Sequence, residues 1–203
     1  MDAAAIDNKD RPAIASDTPV HSVATRHGTL AYTTSGEGPP LLLIHGNTMT
    51  AHSQHRLADH FTDTHQVISI DMLGHGHSAR PDNLFTTNYF VMQGQALVDL
   101  LAALLPDTPA PIFGMSAGGI AAMHAVCETT THIAALILDS VFRYVGPETL
   151  EVHCQRVQNS SPTWDRYMRT QHGEAWWPHL RDGLLATIEQ MAQTKMSTTP
   201  CLT

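Results

Sequence analysis

Gly114-Met115-Ser116-Ala117-Gly118 sets one serine between two glycines, directly after the apolar stretch Ala110 to Phe113 and before a segment of helical composition. Glycines at these two positions let a strand turn into a helix so sharply that the serine hydroxyl stands clear of both. A hydroxyl held in this way suits attack on a carbonyl carbon. That chemistry also needs a base to take the hydroxyl proton and N–H donors aimed at the oxygen that becomes negative. A helix starting at Ala117 would add the partial positive charge of its N-terminus. The plainer alternative is a serine that only caps the helix, and the flanking glycines weigh against it.

Histidine, the usual base, is abundant, with 14 in the chain. His45 closes the apolar run Leu41-Leu42-Leu43-Ile44 and precedes Gly46-Asn47. His75 and His77 form a His-x-His pair, but a metal needs a third ligand at a recognisable spacing and none is present, so a surface loop is expected there. His124 lies eight residues along the expected helix from Ser116, a rise of about 12 Å. His153, His172 and His179 fall in a later helical region and are expected to be packing or solvated side chains. Gly74-His75-Gly76-His77-Ser78-Ala79 also fits the Gly-x-Gly-x-x-Ala dinucleotide fingerprint. Its context argues against an oxidoreductase, because Pro81-Asp82-Asn83 prolong the loop where a helix must open to hold a pyrophosphate.

The elements that must position these groups follow from periodicity. His21 to Arg26 and Thr29 to Thr34 predict an opening antiparallel hairpin. Leu41 to Ile44 and Gln66 to Ile70 are bare apolar runs, as in strands covered on both faces. Ala51 to Phe61 predicts a crossover helix, Asn88 to Leu105 a second, and Ala117 to Cys127 the helix after the serine. Ile133 to Leu138 is a further strand. Strands alternating with helices predict an α/β fold with a mostly parallel sheet and helices on both faces. From Pro147 to Gln193 the pattern becomes helical, with Leu180, Leu184, Ile188 and Met191 on one face and Trp164, Trp176 and Trp177 expected to pack it.

Composition bounds the function. The chain has 203 residues, 42% hydrophobic and 15% charged, which fits one globular domain. A net charge of -8 with only 11 Lys and Arg argues against a nucleic-acid surface. Cys127, Cys154 and Cys201 form no disulfide framework, no stretch reaches 18 apolar residues, and no secretory leader is recognisable, so a cytoplasmic protein without a membrane partner is expected.

Three segments in this order resemble the α/β-hydrolase fold superfamily, in its group of single-domain hydrolases with a helical cap. Leu41 to Asn47 looks like the third strand and oxyanion turn, Asp71 to Pro81 like the loop after the fourth strand, and Gly114 to Gly118 like the nucleophile elbow. The resemblance implies Ser116 as the nucleophile, the backbone amides of Asn47 and Ala117 as the oxyanion hole, and His45 as a shaper of that turn, not a base. It implies a small-molecule ester or acyl substrate and no metal or organic cofactor. It also implies a tail over 1–19, a core over 20–140, a helical cap over 141–196 and the start of a seventh core strand over 197–203.

In that family an acid and a histidine follow Ser116, after later strands. The chain resembles the family only as far as the start of the seventh strand, so it is expected to be C-terminally truncated, with the closing strands missing. Asp139, at a strand end, is the one candidate acid. The chain is therefore expected to be poorly active or inactive, with an apolar sheet edge exposed to self-association. A non-catalytic ligand-binding module of the same fold stays open as the alternative.

Overall fold

The computed structural model describes residues 18–199. Most of the expected tail, the last four residues and Cys201 therefore lie outside the described residues. The chain opens with an antiparallel hairpin, β1 (Val20–Thr25) and β2 (Gly28–Ser35), joined at a tight turn where Gly28 has φ 116°. Then come β3 (Pro40–Ile44), β4 (Gln66–Asp71), β5 (Ala110–Met115) and β6 (Ile133–Asp139). These six strands form one sheet in the order β1-β2-β4-β3-β5-β6. β1, β2 and β4 are antiparallel neighbours, and β4-β3-β5-β6 are parallel.

The bare apolar runs are explained by the pleat, which sends alternate side chains to opposite faces. Leu42, Ile44, Ile68, Ile70 and Ile112 enter the larger core, with the buried faces of α2 (Tyr89–Leu104) and α3 (Ala117–Glu128). Leu41, Leu43 and Val67 point the other way, onto Leu57, Ala58 and Phe61. On that second face the crossover helix expected over 51–61 is short: a 3-10 turn at His52–Gln54 runs into α1 (His55–Asp59). Local bonds hold the preceding turn, Thr50 N–H donating to Ser53 Oγ (3.0 Å) and Ala51 N–H to Asp71 Oδ1 (2.7 Å), and they compete with regular helix.

After β6 the chain leaves the sheet. Tyr144–Val145 (β7) and Met196–Ser197 (β8) pair antiparallel in a separate ribbon, and α4 (Pro147–Gln158), α5 (Pro162–His172) and α6 (Trp176–Gln193) lie between them. Ser197 ends this ribbon and Thr198 N–H donates to Arg143 O (3.0 Å), while most of the stretch 197–203, where the sequence predicted the start of a seventh core strand, lies outside the described residues. Two-residue strands carry no readable periodicity, so the ribbon had no signal. Trp176 and Trp177 are buried, and Trp164 is half-exposed.

Cys127, at the end of α3, is disulfide-bonded, a departure from the expectation of cysteines without a framework, while Cys154 is free. Among the described residues no helix is long and apolar enough to cross a membrane.

Candidate active site

Ser116 joins β5 to α3 with φ 49° and ψ -116°, a conformation that costs a non-glycine residue on the order of 1–3 kcal/mol. Neighbours hold it there. Ser116 N–H donates to Asp139 O at the end of β6 (2.7 Å), and its carbonyl accepts from Ile120 N–H (3.1 Å) in the first turn of α3. The flanking glycines are required by close approach: a Cβ on Gly114 would sit 2.6 Å from Gly119 Cα, and one on Gly118 would sit 2.5 Å from both Ile44 O and His45 O. Those last obstacles are backbone atoms that cannot rotate away. Gly118→Ala is therefore expected to cost about 3 kcal/mol and lower the thermal midpoint by roughly 6–12 °C, measured by calorimetry.

The turn after β3 lies against the serine, a Cβ on Gly46 being 3.4 Å from Ser116 Cβ. Met49 N–H closes this turn onto Gly46 O (3.1 Å), and Thr48 occupies it with φ 67°. A threonine there is unusual, because positive φ at the third position of a turn favours glycine or asparagine. Tyr89 Oη donates to Asn47 Oδ1 (3.2 Å) and fixes that side chain. Neither the Asn47 nor the Ala117 amide makes another hydrogen bond among the described residues. Ala117 follows Ser116 directly, and Asn47 follows Gly46, the position that lies against Ser116.

Three buried histidines surround the turn, and each has both ring nitrogens engaged. His45 Nε2 accepts from Met72 N–H (3.0 Å), so Nδ1 donates to Gly46 O (2.8 Å). His75 Nε2 accepts from Thr48 N–H (3.3 Å), so Nδ1 donates to Leu73 O (3.1 Å). His172 Nδ1 accepts from Gly76 N–H (3.1 Å), so Nε2 donates to Thr48 O (2.9 Å). One acceptor nitrogen per ring makes all three neutral. Burial pushes each below the ordinary imidazole range, His172 to about 4. The rings neighbour one another, with centroids 5.0 Å apart for His45 and His75 and 5.6 Å for His75 and His172.

The loop from Asp71 to Ser78 is interior, which corrects the surface loop expected for His75: that side chain is fully buried, and only His77 reaches solvent. Asp71 organises the loop. Burial alone would raise its carboxyl, but hydrogen bonding from His77, the adjacent His45 and the Ala51 amide bring it below the usual carboxylate range. A Cβ on Gly76 would collide with this carboxylate. The loop thus faces an anion of the protein itself and reaches no helix until Tyr89, a context opposite to a pyrophosphate cradle.

Among the described residues Ser116 Oγ has no hydrogen-bonded histidine. The His153 ring bonds Thr149 O within α4 (2.8 Å), His179 packs on Phe85 and Trp176, and His124 lies against Gly94 of α2. Asp139 is exposed and its Oδ1 accepts from Ser140 Oγ (2.9 Å), so the candidate acid contributes its backbone carbonyl to the elbow and its side chain to the next turn. No three His, Cys, Asp or Glu side chains cluster as a metal site among the described residues.

A family model described as alpha/beta hydrolase fold matches residues 39–178. The proline iminopeptidase of Lactobacillus helveticus is 31% identical over 123 residues, 58% of this chain and 40% of that one. The lipase LipV of Mycobacterium tuberculosis is 37% identical over 103 residues, 48% of this chain and 35% of that one. Among solved structures, a serine hydrolase involved in carbazole degradation superposes with a TM-score of 0.70 at 20% identity, over 89% of this chain and 72% of that one. This chain spans about two fifths of the length of these curated relatives.

Proposed function

Since the chain belongs to the alpha/beta hydrolase fold family, we propose that it is a serine hydrolase cleaving an ester or similar acyl bond in a small molecule. Ser116 is the nucleophile, and the Asn47 and Ala117 amides receive the oxyanion. The observation that carries this reading is the elbow itself: a serine held at φ 49° at the N-terminus of α3, with the turn that carries Gly46 and Asn47 packed against it. The relatives support the acyl class, since a lipase and an iminopeptidase are both named for acyl-bond cleavage.

In the chemistry, Ser116 Oγ attacks the acyl carbon and its proton passes to solvent water in place of a histidine base as the carbonyl oxygen becomes negative. That charge falls between the two amides and the helix end. Collapse expels the alcohol and leaves an acyl-serine, which water then hydrolyses. The three buried histidines are already neutral and doubly bonded, so none is free to act as that base. For the 203-residue chain alone the reading is therefore slow turnover, with oxyanion stabilisation supplying what rate there is. Covalent capture by a fluorophosphonate, with Ser116→Ala as control, tests it. The second reading, a non-catalytic ligand-binding module, rests on the absence of a histidine bonded to Ser116 Oγ among the described residues and expects thermal stabilisation by an ester without capture.

Among the described residues β6 pairs with β5 alone, and it carries Ile137, 50% exposed, and Leu138, 37% exposed. An apolar, unpaired edge promotes strand pairing between molecules, so the chain self-associates through β6 in this proposal. Sedimentation velocity is expected to show concentration-dependent association that Ile137→Lys reduces. A monodisperse monomer at every concentration would contradict it.

A further inference from the structure

We infer that His172 of the helical insertion is a positioning residue for the oxyanion turn, so that docking of α5 and α6 onto the core sets the direction of the Asn47 amide. The inference rests on the proposed role of that amide. Thr48 follows Asn47 directly, and both its backbone groups are held by imidazoles from different parts of the molecule. Its N–H donates to His75 Nε2 from the loop after β4, and its carbonyl accepts from His172 Nε2 at the end of α5. These two bonds fix the peptide units on either side of a β-branched residue at φ 67°, a conformation it does not favour alone.

The grip is reinforced on the insertion side. Thr50 Oγ1 donates to Gln171 Oε1 (2.7 Å), and an Arg80 guanidinium nitrogen donates to His172 O (2.7 Å). His172 Nδ1 also takes the Gly76 N–H, so a single ring ties the oxyanion turn to the loop that carries His75. Lifting the insertion removes the partners of Thr48 O and Gly76 N–H together. The turn then loses the contact that opposes relaxation of Thr48 toward negative φ, and the amide before it turns with it.

The test compares the wild type with His172→Leu, which fills similar volume without hydrogen bonds, and His172→Gln, which keeps one donor and one acceptor. Hydrogen exchange over residues 46–50 is expected to rise several-fold in His172→Leu while the β1-β2 hairpin is unchanged. The limiting rate of fluorophosphonate capture is expected to fall roughly tenfold, less than the loss of a whole oxyanion donor. The half-saturating probe concentration should stay within about twofold, and His172→Gln should recover most of both changes. If His172→Leu does not fold, His172→Asn, too short to reach Thr48 O, serves the same comparison. A folded variant with unchanged exchange at 46–50 overturns the inference, as does a uniform rise in exchange across the sheet. Lack of capture in the wild type would remove the hydrolase reading, and the exchange comparison would still decide the positioning role.

Discussion

Ser116→Ala is expected to abolish covalent capture by a fluorophosphonate completely, while the parent chain gains one adduct by intact mass. The parent reaction should be slow. A complete triad activates its serine by several orders of magnitude, and a site reduced to its oxyanion hole and binding surface keeps about 10³–10⁴ over water. In the proposed role, three features favour attack by Ser116: its strained backbone, the helix N-terminus behind it and the Ala117 and Asn47 amides. Each acts on the oxyanion or on presentation of Oγ, and none depends on a proton acceptor. Alanine at 116 removes only Oγ, so folding and probe access should persist and the lost adduct is attributable to that atom. No adduct on a folded parent chain would move the reading to the ligand-binding alternative.

The second large effect is loss of stability in mild acid. A histidine whose folded pKa is depressed contributes stability at pH above its unfolded value near 6.5, and that contribution is lost as pH falls toward the folded value. For His172 the folded value is about 4, so the loss runs from about pH 6.5 to about pH 4. Burial dominates, the nearby His45 and Arg80 add to it, and the Thr48 carbonyl and Asp71 oppose it. The shift corresponds to about 3 kcal/mol, a large share of the roughly 5–15 kcal/mol that a domain has in total. His45 and His75 are displaced the same way and steepen the slope. Asp71 adds its own loss only lower, as pH falls below the ordinary carboxylate range near 4. Urea unfolding at pH 7, 6, 5 and 4 should show midpoints falling throughout, with a shallower fall in His172→Gln. Equal midpoints from pH 7 to 4.5 would show that the rings titrate without cost.

Much of this was legible along the chain. Leu41 to Ile44 and Gln66 to Ile70 announced strands because both faces of those strands are covered, which leaves no polar position to break the run. The Gly-x-Ser-x-Gly pattern announced the elbow because its glycines answer to backbone atoms of β3 and α3, a need that short-range sequence expresses. The roles of His75 and His172 were hidden because their partners are backbone groups of Thr48 and Gly76, contributed by loops distant in sequence. A backbone partner leaves no mark of its own residue type. Tyr89 and Asn47 lie 42 residues apart in the sequence, yet they meet where the N-terminus of α2 passes the turn after β3. Nor did composition show that Asp71 would fill the space beside Gly76 and make the following loop an interior element.

The bond from the Ser116 amide to Asp139 O ties the proposed nucleophile to β6, the edge strand of the sheet among the described residues. Fraying of that strand is therefore expected to release the Ser116 backbone, and the exchange lifetime of its amide proton gauges both. In the proposed role of Ser116, a solute that peels the sheet's margin is expected to slow capture without ever entering the site.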